Sequence, residues 1–140
     1  MTDRVVAHQG AACWATLFTH AHYLPLAVLL QSMRACQTRY PLVVMVTETV
    51  DARTREWLTR MGCVLRDVDA WRVPHADGSL AFERFQNVWT KLRAFELYEY
   101  ERVVMIDSDM LMCHNMDELF DLPLERGMIA AALACTCNPK

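Results

Sequence analysis

Val103-Val104-Met105-Ile106-Asp107-Ser108-Asp109 decides how this chain is read, because an apolar, β-branched run ends there in two carboxylates one residue apart. Four apolar residues bounded by charge predict a strand buried on both faces. Side chains alternate along a strand, so aspartates at i and i+2 aim the same way where the strand leaves its sheet. Two such carboxylates form a hard oxygen site for Mg²⁺ or Mn²⁺ that keeps open positions for substrate phosphates. The plain alternative is a solvated turn, where Asp-Ser-Asp is ordinary chemistry.

Upstream of this strand, Asn87–Tyr100 reads as a helix with Val88, Leu92 and Phe95 on one stripe and Lys91 beside it. A turn-rich loop, Trp71–Arg84, precedes it. At the start of the chain, Ala11–Thr19 reads as a mostly buried strand whose end carries Thr19, His20 and His22. Pro25 suits the first turn of a helix in which Leu26, Leu29, Leu30 and Met33 share a face, extended by Cys36 and Tyr40 and stopped by Pro41. Leu42–Val46 is a second buried strand. Thr49 or Asp51 caps a second helix with Thr54, Trp57, Leu58 and Met61 on one face, and Gly62 sits at its C-cap. Cys63–Val68 is a third strand. Downstream, Met116–Phe120 reads as one helical turn and Met128–Leu133 as another buried strand.

Short apolar strands alternating with amphipathic helices predict βαβ units, hence an α/β fold with a mainly parallel sheet and helices on both faces. In such sheets the ligand crevice lies beyond the carboxyl ends of the strands, which brings Thr19, His20, the Asp67 region and the Asp107–Asp109 pair around one crevice. With 140 residues, 54% hydrophobic and 22% charged, a single domain over 1–140 is expected. A net charge of -3 with both signs interspersed disfavours nucleic acid or anionic membrane as partner. The apolar run Leu24–Leu30 is too short to span a bilayer and has no basic flank before it. Six cysteines without a Cys-x-x-Cys pair suit buried thiols in a reducing compartment, so a cytoplasmic location is expected.

Several patterns invite weaker readings. His8, His20 and His22 are expected to face solvent. Cys113-His114 with Cys135-x-Cys137 misses zinc spacing and reads as core or edge thiols. Asp67-x-Asp69 repeats the Asp-x-Asp pattern after a strand interrupted by Arg66. A haloacid-dehalogenase-type phosphatase also places Asp-x-Asp after an apolar strand, with the first Asp as nucleophile, but there the motif opens the domain. A nucleotidyltransferase would require a Gly-rich basic loop near the first strand, and Gly10 alone is not one.

Trp89-Thr90-Lys91-Leu92, Glu99-Tyr100, Asp107-Ser108-Asp109 and Asn115-Met116-Asp117-Glu118-Leu119-Phe120-Asp121 together resemble glycosyltransferase family 8, the family of glycogenin and galactinol synthase. Ala15-Thr16-Leu17 with Tyr23 and the following helix resembles that family's nucleotide-binding start. The resemblance implies a GT-A, Rossmann-like fold, a UDP-sugar donor, a Mn²⁺ (or Mg²⁺) ion and hexose transfer with retention to a hydroxyl acceptor. Carried over by residue, Asp107 and Asp109 would hold the metal, with Ser108 between them among the donor contacts. Leu17, Phe18, Thr19 and Tyr23 would line the uracil and ribose pocket. Lys91 would approach the donor as the catalytic cation, and Arg84 would be the basic residue preceding its helix. Phe18-Thr19-His20 departs from the family's Thr-Thr-Asn-like loop. The family's Asn-x-Gly, Asp-Gln and late His-x-x-Gly-x-x-Lys segments are not found before Lys140. The resemblance therefore implies an amino-terminal, donor-binding half, incomplete at the C-terminus: a fragment, a truncated gene model or a degenerate remnant without turnover, prone to self-association along Met128–Leu133.

Overall fold

The computed structural model describes residues 12–19, 23–71, 86–125 and 127–132. Four strands, β1 (Ala12–Phe18), β2 (Leu42–Val46), β3 (Val64–Asp67) and β4 (Arg102–Met105), form one sheet in the order β3-β2-β1-β4. All of its pairings are parallel. This is the α/β arrangement expected from the alternating pattern. The chain steps from β1 outward to β3, then returns to the other side of β1 to place β4.

β1 and β2 are buried along their whole length, which is why both read as continuous apolar runs. On one face Trp14, Phe18, Val44 and Val46 pack with Leu26, Leu29, Leu30 and Met33 of α1 (Leu24–Ala35) and with Leu58 of α2 (Ala52–Arg60). On the other face Cys13, Ala15 and Val43 pack with Leu97. Asp51, rather than Thr49, caps α2: its carboxylate accepts from the Thr54 amide at 2.8 Å and the Thr54 hydroxyl at 3.1 Å. These bonds hold the Asp51 carboxyl below its ordinary value. α1 ends well before Pro41, because Gln37 takes a left-handed φ of 54° and the Thr38 amide turns back to Met33 O.

Gly62 closes α2 with φ of 80°, its neighbour's amide returning from Cys63 to Leu58 O at 3.1 Å. A Cβ there would meet nothing within 4 Å, so the conformation alone disfavours a side chain. Gly62→Ala is expected to cost about 1 kcal/mol, read as a lower urea midpoint at unchanged slope.

Three expected elements differ. β4, expected to be buried on both faces, is half-buried along its whole length because it stands at the end of the sheet beside β1. In place of an α-helix over Asn87–Tyr100, a 3-10 helix runs from Gln86 to Glu96, and its apolar stripe faces outward, with Phe95 62% exposed. The inward side is set by tertiary partners instead: Thr90 is fully buried and accepts the Trp71 amide at 3.0 Å, and Leu97 beyond the helix packs under the sheet. The strand expected at Met128–Leu133 is also absent over residues 128–132, which are exposed and unpaired, Ile129 at 71%; Leu133 lies outside the described residues. A hydrophobic run becomes a strand only where a neighbour offers a hydrogen-bonding edge, and β1, β2, β3 and β4 leave these residues unpaired.

Candidate functional site

Because the strands are parallel, their carboxyl ends share one edge of the sheet, carrying Thr19 after β1, Thr47 after β2, Val68 after β3 and Asp107 beyond β4. The order β3-β2-β1-β4 reverses direction between β1 and β4, so the switch point, where parallel sheets of this kind take their ligands, falls between these two strands. Ile106 extends the β4 pairing by one bond, its amide donating to Ala15 O at 2.9 Å. The chain then turns, with the Met110 amide on Asp107 O at 3.2 Å. The aspartates thus stand in the turn that follows the strand, so the strand alternation expected to aim both carboxylates the same way does not govern them. Asp107 and Ser108 are half-buried and Asp109 is exposed.

Lys91 reaches this turn from the 3-10 helix, its Nζ 2.5 Å from Asp107 Oδ1. Both groups are more than a third exposed, so the pair contributes at most about 1 kcal/mol to stability. Its importance is placement: two segments, the 3-10 helix and the turn after β4, bring a cation and a carboxylate to the switch point. The ammonium stands where a bound cation would compete for the same oxygen. Among the described residues no group of three or more His, Cys, Asp or Glu side chains converges. Asp107 and Asp109 are carboxylates, the hard oxygen donors that Mg²⁺ or Mn²⁺ takes together with phosphate oxygens.

On the β1 side, Leu17 and Phe18 are buried, Phe18 within the α1-facing core. Thr19 is half-buried, and its carbonyl accepts from Thr49 Oγ1 at 3.1 Å, tying the ends of β1 and β2 together. Tyr23, just before α1, is exposed and stacks on Trp57 at 4.9 Å between ring centroids. Arg84, His8, His20, His22, Cys135 and Cys137 lie outside the described residues.

The second Asp-x-Asp is occupied differently. Asp67 Oδ1 is 2.5 Å from Arg55 Nη1, while the same guanidinium donates to Val50 O and Thr47 O. Arg55 staples the ends of β2 and β3, which makes Asp67 part of a structural clamp. A depression of about 390 Å³ lies nearby, lined by Val43, Val64, Leu65, Arg66, Asp67 and Glu99 and partly closed by the Arg66–Glu99 ion pair. It contains none of the switch-point residues.

Sequence reasoning missed the group that anchors the turn from behind. Asp117 is only 4% exposed and accepts from the Thr38 hydroxyl at 2.5 Å, the Arg39 amide at 2.9 Å and Arg39 Nε at 3.4 Å. Thr38 in turn accepts Trp14 Nε1 at 2.8 Å. The signal was Asn115-x-Asp117, an Asx turn in which Asn115 Oδ1 accepts the Asp117 amide at 2.8 Å. Burial alone pushes the Asp117 carboxyl up, but the bonds from Thr38, Arg39 and Asn115 outweigh it and hold the group below its ordinary value of 3.8. A depressed folded value stabilises the fold above the ordinary value, and that stabilisation is lost as pH falls through the folded one. Asp117→Asn is therefore expected to flatten the acid limb of stability below about pH 4, measured as melting temperature against pH.

No family model matches the chain. It is 32% identical over 139 residues to galactinol synthase 5 of Arabidopsis thaliana, covering 97% of this chain and 41% of that protein. It is 32% identical over 110 residues to galactinol synthase 2 of Solanum lycopersicum, covering 79% and 32%. To galactinol synthase 2 of Ajuga reptans it is 34% identical over 110 residues, covering 79% and 37%. The chain spans a third to two fifths of the length of these relatives.

Proposed function

We propose, from the premise that this chain is a galactinol-synthase-like, GT-A-type region of glycosyltransferase family 8, that it binds the diphosphate of a UDP-sugar through a divalent ion at the Asp107–Asp109 turn. The observation that supports this most directly is the meeting of Lys91 with Asp107 at the switch between β1 and β4. Asp107 and Asp109 would hold Mn²⁺ or Mg²⁺, with Ser108 beside the diphosphate. A bound divalent ion supplies charge neutralisation at the leaving diphosphate. With the ion on the Asp107 oxygen that Lys91 otherwise holds, the released ammonium would supply a second positive charge beside the diphosphate, stabilising the departing nucleotide more than the intact donor. Thr19 and Tyr23 offer polar and aromatic contacts for ribose and uracil, above the buried Leu17 and Phe18. Arg84 is a further cationic contact on the same reading. In proteins like the named relatives the hexose would then pass, with retention, to a hydroxyl acceptor such as the one that yields galactinol.

Among the described residues no helix is long and apolar enough to cross a membrane. Burial pushes the Cys13 thiol up to about 12 and the Cys63 thiol up to about 11, so neither is a reactive thiolate.

The reading is tested by calorimetric titration of UDP and ADP into the protein with Mn²⁺ or with EDTA. Heat of binding for UDP that vanishes in EDTA and is weaker for ADP supports it. Equal binding in EDTA would remove the metal from the proposal. Lys91→Met is expected to weaken UDP about tenfold, the value of one charge-assisted hydrogen bond, while shifting the melting temperature little. A large loss of stability with unchanged UDP affinity would make Lys91 a structural residue.

A further inference from the structure

The stretch between β4 and the short 3-10 helix (Asp117–Asp121) contains neither helix nor strand, yet it is hydrogen-bonded to the sheet and to α1 at successive points. Ile106 is fixed to β1 through Ala15 O. Six residues later the Met112 amide donates to Ser32 Oγ at 3.0 Å, and the Met112 side chain is buried in the core. The Ser32 hydroxyl sends its own proton to Leu29 O at 2.7 Å, so its free lone pair is aimed at Met112. The Cys36 thiol donates to Met112 O at 3.4 Å, and Asn115 Nδ2 bridges Cys36 O and Gln37 O at 3.0 and 3.2 Å.

Ser32 is the anomaly in this arrangement. It lies on the face of α1 formed by Leu26, Leu29, Leu30 and Met33, all buried, where an alanine would favour the helix more and leave no polar atom to satisfy. A buried serine in such a face is maintained against propensity by what it bonds, and among the described residues outside its own helix that is the Met112 amide. Between the two fixed amides, Ile106 and Met112, lie both aspartates, and the Met110–Asp107 turn takes up the slack. The carboxylates thus stand between two backbone amides, those of Ile106 and Met112, each fixed to another element.

We propose that Ser32 is a positioning residue: by holding Met112 against α1 it fixes the turn in which Asp107 and Asp109 receive a divalent ion and the donor diphosphate. This rests on the donor-binding reading given above. Groups that orient metal ligands from behind are worth roughly 10–100-fold in metal affinity when removed. Ser32 acts here through the backbone, by restricting where the ligands can be.

The experiment compares the wild-type chain with Ser32→Ala, Asp51→Ala and Asp109→Asn. Asp51→Ala removes the α2 cap, whose carboxylate bonds Thr54 and not residues 106–116, and serves as a control for simple loss of stability. Mn²⁺ binding in the presence of UDP is followed by electron paramagnetic resonance, and amide hydrogen exchange is followed in peptides covering residues 106–116. Ser32→Ala is expected to weaken Mn²⁺ about tenfold or more, broaden the resonance of the bound ion and raise exchange across Asp107–Met112. Asp51→Ala is expected to melt earlier with affinity and resonance unchanged. Wild-type affinity and resonance in Ser32→Ala would overturn the proposal, as would an equal loss in Asp51→Ala. If the wild type and Asp109→Asn bind Mn²⁺ and UDP alike, the donor-binding reading is what fails. Exchange then still decides whether Ser32 pins the turn, and unchanged exchange in Ser32→Ala overturns that as well.

Discussion

Asp107→Asn and Asp109→Asn are each expected to abolish Mn²⁺-dependent binding of a UDP-sugar, while Asp67→Asn leaves it at the wild-type level. The substitution keeps size and a carbonyl oxygen, itself an acceptable ligand for a hard cation, so any loss is due to charge. With only two carboxylates and no third His, Cys, Asp or Glu converging among the described residues, removing one charge halves the protein's share of the site. A loss on the order of 10²-fold would put binding beyond calorimetric detection. Asp67 carries the same motif but its carboxylate is committed to Arg55, which bridges Val50, Thr47 and Asp67. Its removal should loosen the ends of β2 and β3 without touching the switch point. Equal loss of binding in Asp67→Asn would mean that the wrong pair has been chosen.

The largest effect on folding is expected from Trp14→Ala. Trp14 is fully buried in β1, one of the two strands that pair on both sides, packs edge-on against Phe120 at 5.1 Å and 86°, and donates to Thr38. Truncation of a buried Trp costs roughly 3–5 kcal/mol from transfer and cavity terms. It also strips the seam between β1, the end of α1 and the short 3-10 helix. Against a total of about 5–15 kcal/mol for a typical domain, such a loss brings the chain near its unfolding midpoint. Trp14→Phe keeps most of the packing and forfeits the indole donor, so it should lose about 1–3 kcal/mol. Urea titrations of both variants decide the ranking, and a Trp14→Ala protein that unfolds with the wild-type midpoint would contradict it.

Periodicity made β1, β2, α1 and α2 legible, since each buries the stripe its residues spell out: Leu26, Leu29, Leu30 and Met33 face the sheet as their spacing requires. The position of the aspartates was legible too, because parallel strands leave one edge for their carboxyl ends. The 3-10 helix misled for a specific reason. Its apolar residues, Val88, Leu92 and Phe95, point outward, and its inward side is held by a threonine hydroxyl and a lysine whose partners, Trp71 and Asp107, no local pattern announces. Met128 to Ala132 shows the same limit, as apolar composition cannot supply the neighbouring edge a strand needs. The Asp117 seam was visible as residues but not as physics, because its bonds join Trp14, Thr38 and Arg39 to a turn far along the chain.

The order of the sheet also sets a timetable for folding. Trp14 finds Leu42 across one helix, and Val43 finds Val64 across another, so β1, β2 and β3 can assemble from nearby chain. Ala12 must wait for Arg102, and closure of so long a loop carries the larger entropic cost. During synthesis at about 5–20 residues per second, the β4 side of β1 stays open for seconds after β2 has docked on the other. Asp107 and Asp109 arrive on the last strand to join, so the chain acquires its crevice only at the close of folding. Any nascent chain stalled before β4 would present the largely apolar β1 as a bare edge, the kind of surface that chaperones recognise.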